Sequence, residues 1–465
     1  MGAPRRPAPV AEGYAVQAIA TSNDSLATHD RLADLAVDVL ARCRAAGASQ
    51  AEVGIDDERG INVNVRMGEV ETIEHTRDRG LSLTVYFGRR KGSASTADLA
   101  PASIAATIEY ACAIARHTEE DPCAGLADPD RMATGSPDLD LWHPWALSPE
   151  RAIELGIACE AAGRALDARI GNSDGASVSS GDSVSVYANS HGFVGRERAT
   201  HHSVSCALIA EDDAGMQRDY WYSSARSAAD LEDVESVGRR AAERTLRRLG
   251  ARRLSTRECP VLFAPELARG LVGHLVGAAS GGALYRRASF LLDAAGTRLF
   301  PGWFSIREEP HLPRGLGSCA FDSEGVATVA NDLVRCGVLE RYILSSYSAR
   351  KLGLSSTGNA GGVHNLRVSP NAGSTAQILR DMGRGLLVTE LMGQGVNTVT
   401  GDYSRGAAGF WIEAGEPAYP VEEITIAGNL RSMFSGIAAV GAEVDRRSHI
   451  LTGPILVDRM TVAGE

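Results

Sequence analysis

The run Glu266–Leu284, ELARGLVGHLVGAASGGAL, places a histidine inside an apolar helical pattern. Leu267, Leu271, Val272, Leu275 and Val276 recur at helical spacing. Pro265 suits the first turn of such a helix, and Gly281 with Gly282 would end it. A helix that presents imidazole has to be tested for zinc chemistry. Zinc proteolysis takes two histidine ligands and a glutamate that activates water, and in HExxH the histidines lie one turn apart on one face. Here Gly270 stands one turn before His274, Ala278 one turn after it, and Arg269 just before Gly270. The helix therefore offers one imidazole and no carboxylate base beside it. Taken alone, such a histidine reads as a packed or hydrogen-bonded side chain.

Two glycine-rich stretches could meet a ligand. Arg350–Asn365, RKLGLSSTGNAGGVHN, reads as a loop whose Lys351, Asn359, His364 and Asn365 would supply polar contacts to a bound chain, or as a structural turn. It is not a phosphate-binding GxxxxGK[ST] loop. In Gly393–Glu413, Asp402, Ser404 and Arg405 lie between Gly401 and Gly406. Asp402 and Arg405 read as an ion pair holding a turn, and Ser404 lacks the GxSxG setting of a hydrolase nucleophile. His201 and His202 are neighbours in a strand pattern and should face opposite ways, so they are not expected to share a metal. Glu211-Asp212-Asp213 reads as a solvated hairpin turn.

The elements that would position these residues change character along the chain. Residues 1–28 read as a mobile tail without the apolar core of a secretion signal. Residues 29–117 read as an α/β lobe: a helix over Asp30–Ala46, short strands punctuated by Gly60, Gly68 and Gly80, then a helix from Pro101. A proline-rich connector, 118–147, leads to a second α/β lobe, 148–251, opening on the Ser148-Pro149-Glu150 helix start. From 252 to 465 short β runs alternate with glycine around one prominent helix. The expected fold class is α+β: antiparallel strands and helices in the N-terminal lobes, then a β-rich C-terminal domain.

The bulk properties narrow the function classes. The formal net charge of −11 argues against a general nucleic-acid or anionic-membrane binder. No apolar run approaches the ~18 residues of a membrane span. Eight scattered cysteines without a CxxC suggest reduced thiols in a cytoplasmic protein, and none follows Cys336.

Several long segments, in order, resemble the TldD/TldE family, whose second member is also called PmbA. They include Arg269–Leu291, Tyr347–Leu366, Leu386–Glu413 and Val421–Phe434. The resemblance implies a cytoplasmic zinc metalloprotease of two subunits that cuts short or unfolded peptides, including peptide-antibiotic precursors. Its TldD-type subunit carries HExxxH, with a cysteine near the C-terminus as a further zinc ligand. Carried onto this chain, the HExxxH positions read Arg269, Gly270 and His274, and the cysteine segment reads Asp445-Arg446-Arg447-Ser448-His449. Two ligands and the general base are replaced. The resemblance thus implies the TldE-type, non-catalytic subunit, with no cofactor of its own, zinc in a TldD-type HExxxH partner, and an extended peptide as substrate. Self-association without the partner stays open. Two other readings remain: an independent metallopeptidase built around His274 with His364 or His449, and a regulatory interaction protein. Older descriptions of the family mention modulation of DNA gyrase, for which no residue here speaks.

Overall fold

The structure, a computed structural model, describes residues 22–213 and 215–464. Its N-terminal half contains α1 (Ser22–Ala45), β1 (Gln50–Arg66), β2 (Glu69–Phe87), β3 (Arg90–Thr96), α2 (Pro101–His117), α3 (Pro149–Arg164), β4 (Asn172–Asn189), β5 (Val194–Asp212), β6 (Gly215–Ala225) and α4 (Val234–Arg247). The six strands form one sheet in the order β3-β2-β1-β4-β5-β6. Alternation along each strand decides what each face meets. Val53, Ile55, Leu81, Leu83, Val184 and Val186 turn towards α1 and α2, and Val63, Val65, Val178, Val204 and Leu208 towards α3 and α4. Glu52, Gly54, Ser82, Thr84 and Ser185 turn the other way and leave the opposite face polar.

The two lobes expected from sequence are therefore two parts of one sheet, because β1 and β4 pair in register from Glu52↔Asn189 to Val65↔Ala176. Gly60 and Gly80 do not interrupt β1 or β2. They sit within extended backbone, and a Cβ on Gly60 would meet Thr76 Oγ1 at 2.9 Å, so that glycine marks close strand approach rather than a turn. Residues 22–28 are the first turns of α1, with Ser25 and Thr28 buried, and the rest of the expected tail lies outside the described residues.

The C-terminal half opens with β7 (Arg257–Phe263) and α5 (Pro265–Ala278), followed by α6 (Gly281–Tyr285), β8 (Ile306–Glu308), β9 (Asn331–Arg335), β10 (Val338–Leu339), α7 (Ser346–Leu352) and β11 (Leu366–Val368). It ends with α8 (Thr375–Met382), β12 (Gly385–Met392), β13 (Asp402–Glu413), β14 (Glu416–Asn429), α9 (Leu430–Ser435), β15 (Ile437–Val440), β16 (Ile450–Leu451) and β17 (Ile455–Ala463). One sheet runs β14-β13-β12-β7-β17-β15, and a further β14–β17 pairing closes it on itself. A smaller sheet, β10-β9-β8-β11-β16, lies beside it. Between them sits the largest core, with Phe263, Leu275, Phe304, Trp411 and Phe434 wholly buried. The half is β-rich as expected, but α5 is joined by short helices. Three of these, α6, α7 and α8, start at serine caps, Ser280, Ser345 and Ser374. Val326 and Ala327 form only isolated bridges, Met132↔Val326 and Phe321↔Ala327. No helix among the described residues is long and apolar enough to cross a membrane.

Candidate functional site

Helix α5 follows directly from β7, with Pro265 at its first position. Ala268, Leu271, Val272, Leu275 and Ala278 anchor it in the core, which leaves Arg269, Gly270, Gly273, His274 and Gly277 on the accessible side. A Cβ at Gly270, Gly273 or Gly277 would meet nothing within 4 Å, so this face borders open space. His274 lies edge-on against Tyr403, with ring centroids 5.8 Å apart. Burial and the nearby Arg405 both lower its pKa, so its ring is neutral near pH 7.

Arg269 reaches from α5 to the segment before β16, where its Nη1 lies 3.9 Å from Asp445 Oδ2. Asp445 is buried and also accepts from Arg447 Nε at 2.8 Å and from the Arg447 backbone N–H at 2.9 Å. Burial opposes its charge, but Arg447 and Arg269 outweigh that, and its pKa falls below the ordinary carboxylate range. The Arg447 guanidinium in turn lies over Trp221, 3.8 Å from the ring centroid, and so reaches the N-terminal sheet. His449 is held neutral by burial, by Arg269 and by His364. His449 and His364 both press on Gly317, where a Cβ would meet His449 Cβ at 2.6 Å and the His364 carbonyl carbon at 3.1 Å.

The glycine-rich stretch is fastened by Glu308 of β8, which is 1% exposed. Its Oε1 accepts from the His364 backbone N–H at 2.7 Å and from Asn359 Nδ2 at 2.9 Å, and lies 2.8 Å from His364 Nδ1. Arg341 donates to its other oxygen. Burial raises the Glu308 pKa, but His364 and Arg341 overcome it and the carboxylate stays ionised. Asn365 is also structural: its amide donates to Glu309 O and Ser318 Oγ. Lys351 is in α7, and its ammonium binds Asp121 of the connector at 3.0 Å.

Asp402, Ser404 and Arg405 lie at the start of β13, not in a turn. Residues three apart on a strand face opposite ways. Asp402 accordingly accepts from Thr400 Oγ1 and Asn429 Nδ2, while Arg405 lies by His274 and Tyr403, so the expected ion pair is not formed.

Between the polar face of the N-terminal sheet and the loops 319–324 and 360–364 lies a cleft of about 630 Å³. Its lining includes Glu52, Asp56, Glu197, Asp322 and Glu324, with His364 at the C-terminal-domain side. Gly361, at φ +95°, lies so near Ser323 that a Cβ would come within 2.5 Å of its hydroxyl, which brings this backbone close over the cleft. Burial pushes Glu197 up to about 7 and Asp322 up to about 6. Glu52 is also raised by burial, although it accepts hydrogen bonds from Tyr187 and Tyr86. Sequence reasoning missed this acidic lining, because its members come from separate strands and loops and share no motif. Glu308 and Arg341 gave no local signal either.

The donor set does not suit zinc. Among the described residues no three His, Cys, Asp or Glu side chains converge as ligands would. His364 Nδ1 is taken by Glu308, His274 packs on Tyr403, and the Arg269 guanidinium brings positive charge to the same region. His201 bonds Ser224, whereas His202 bonds Ser180 and the His143 carbonyl, on opposite faces of β5.

Comparison with known proteins gives the family. Residues 51–115, 142–249 and 256–464 match the first, central and C-terminal domains of the PmbA/TldA metallopeptidases. The chain is 51% identical to metalloprotease PmbA of Escherichia coli O157:H7, over 90% of this chain and 94% of that one. It is 48% identical to a PmbA homologue of Haemophilus influenzae, over 90% and 93%. Among solved structures, a putative modulator of DNA gyrase from Bacteroides thetaiotaomicron superposes with a TM-score of 0.89 at 27% identity, covering 94% of this chain and 99% of that one. TldE from Thermococcus kodakarensis shares the fold, with a TM-score of 0.82 at 20% identity, covering 92% and 100%. With its three domain matches and half-identical relatives aligned along nearly their whole length, the chain belongs to the PmbA/TldE family of metalloproteases.

Proposed function

We propose that this chain is the non-catalytic subunit of a cytoplasmic zinc metalloprotease heterodimer, whose other subunit is a TldD-type chain carrying HExxxH and the zinc. The heterodimer degrades or processes short and unfolded peptides, peptide-antibiotic precursors among them. The observation that carries the reading is on α5: Arg269 stands where a ligand is needed, its guanidinium beside Asp445, and Gly270 leaves the water-activating position without a carboxylate. Hydrolysis near neutral pH needs a metal that lowers the pKa of water to about 7 and a base to take the proton. On α5 neither role has a residue. The cleft over the N-terminal sheet supports the second half of the reading. Its floor of Gly54, Ser82, Thr84 and Ser185 is low and polar, and it can accept an extended peptide without selecting large side chains. The eight unpaired thiols agree with a reducing compartment.

The test is an assay on an unstructured peptide with each chain alone and then both together, with and without chelator. Cleavage should need both chains and vanish with chelator. Chelator-sensitive cleavage by this chain alone would overturn the non-catalytic role. Full activity of the HExxxH chain without it would remove it from the protease.

A further inference from the structure

β13 carries an arginine on its core-facing side. Tyr403 and Arg405 are two residues apart and share a face, and Arg405 stands opposite the wholly buried Ile426 of β14. The Arg405 guanidinium donates to the Tyr403 hydroxyl and lies beside His274. Its Nε is buried without a hydrogen-bond partner, and among the described residues Arg405 forms no ion pair. The carboxylates of α5, of β12 and of the segment before β16 are already taken: Glu266 by Arg244, Glu390 by Arg248, and Asp445 by Arg447 and Arg269. His274 packs on Tyr403, and neither of its ring nitrogens has a hydrogen-bond partner among the described residues. A guanidinium without a counter-ion, beside an imidazole with free nitrogens, is short of an acceptor. About one turn to either side of His274, Gly270 and Gly277 leave room for one, since a Cβ there would meet nothing within 4 Å.

We propose that Arg405 and His274 hold a carboxylate of the bound peptide, supplied by its C-terminus or by an acidic side chain, a role that rests on the chain holding peptide at all. One unpaired guanidinium and one neutral imidazole offer a single positive charge with donors from both sides. That matches a monoanionic carboxylate rather than a doubly charged phosphate. Arg269 is tied to Asp445 and adds positive field along the same helix without being the contact.

The experiment is calorimetric titration of the full chain, without partner, with three unstructured peptides. The first has a free C-terminus and no Asp or Glu, the second is its C-terminal amide, and the third is that amide with one internal glutamate. The free acid, the glutamate peptide or both should bind about tenfold tighter than the plain amide, as a charge-assisted hydrogen bond gives. Whichever does so names the source of the carboxylate. Arg405→Gln should erase the difference, and it should melt as the parent does, because no carboxylate depends on Arg405. His274→Ala trims a half-buried ring, should weaken the preference, and decides the matter if Arg405→Gln does not fold. Equal affinity for all three peptides, no binding of any, or a preference that survives these changes in a folded chain overturns the proposal. Cleavage is not read here, so the preference can hold in a chain with no place in a protease, and the two-chain assay can succeed where the preference is absent.

Discussion

Arg269 Nη1 lies 3.9 Å from Asp445 Oδ2, and this contact links α5 to the segment that precedes β16. In the proposed reading the zinc ligands of the partner subunit come from the two matching places, and here a cation of the protein's own bridges them. The parent chain should therefore take up no zinc in a micromolar titration against a chromogenic chelator. Arg269→His combined with Gly270→Glu should fold, because open space borders Gly270 and Arg447 still neutralises Asp445. That variant should gain measurable zinc affinity. One zinc per parent chain, lost on His274→Ala, would refute the expectation.

Glu308 is the buried anion on which Arg341, Asn359 and His364 converge. Glu308→Ala strands a buried guanidinium and should cost about 3–5 kcal/mol, whereas His364→Ala removes a hydrogen-bonding partner and should cost about 1–3 kcal/mol. Chemical denaturation followed by tryptophan fluorescence measures both. A double variant whose loss equals the sum of the single losses would show that the cluster does not act as a unit.

The cleft carboxylates make stability depend on pH. Glu197 and Asp322 titrate higher when folded than their ordinary values, so the folded state holds their protons more tightly than the unfolded chain. Their contribution is complete below the ordinary carboxylate range and is lost as pH rises through about 6 and about 7. Thermal stability should therefore climb between pH 8 and pH 5. Glu197→Gln should flatten that climb, stabilising the chain at pH 8 by about 2 kcal/mol with little effect at pH 5. A parallel pair of profiles would contradict this assignment.

Lys351 binds Asp121 and lies over Tyr347, fastening the connector to α7. It is an exposed ion pair, so Lys351→Ala should leave the stability of the chain almost unchanged. Peptide turnover by the two-chain complex should be unchanged, as steady-state kinetics would report. A fall in kcat with stability intact would return Lys351 to the peptide path.

Local signals were legible where they rest on one short stretch. Pro101, Ser148-Pro149 and Pro265 mark the starts of α2, α3 and α5, because capping and a missing N–H act within a turn. Gly60 misled, since a glycine that admits a neighbouring strand has the same sequence signature as one that turns the chain. Asp402 and Arg405 misled through the wrong element: in a turn they meet, and on a strand they part. The replaced HExxxH positions were legible only through resemblance. The acidic cleft was not, because Glu52, Glu197 and Asp322 are distant in sequence and meet only once the sheet faces the loops of the other half.

The β1–β4 pairing has a consequence for synthesis. β1 ends at Arg66, and the strand that completes its hydrogen bonding begins at Asn172. Until that strand has left the ribosome, the first hairpin has one open side and its apolar residues have an incomplete floor. The early chain must wait, exposed, through the whole connector, a delay that loop closure makes slow and that chaperones exist to cover. Pulse proteolysis of stalled nascent chains would register it as a jump in protection only after β4 emerges, although the first family domain has by then long been complete in sequence.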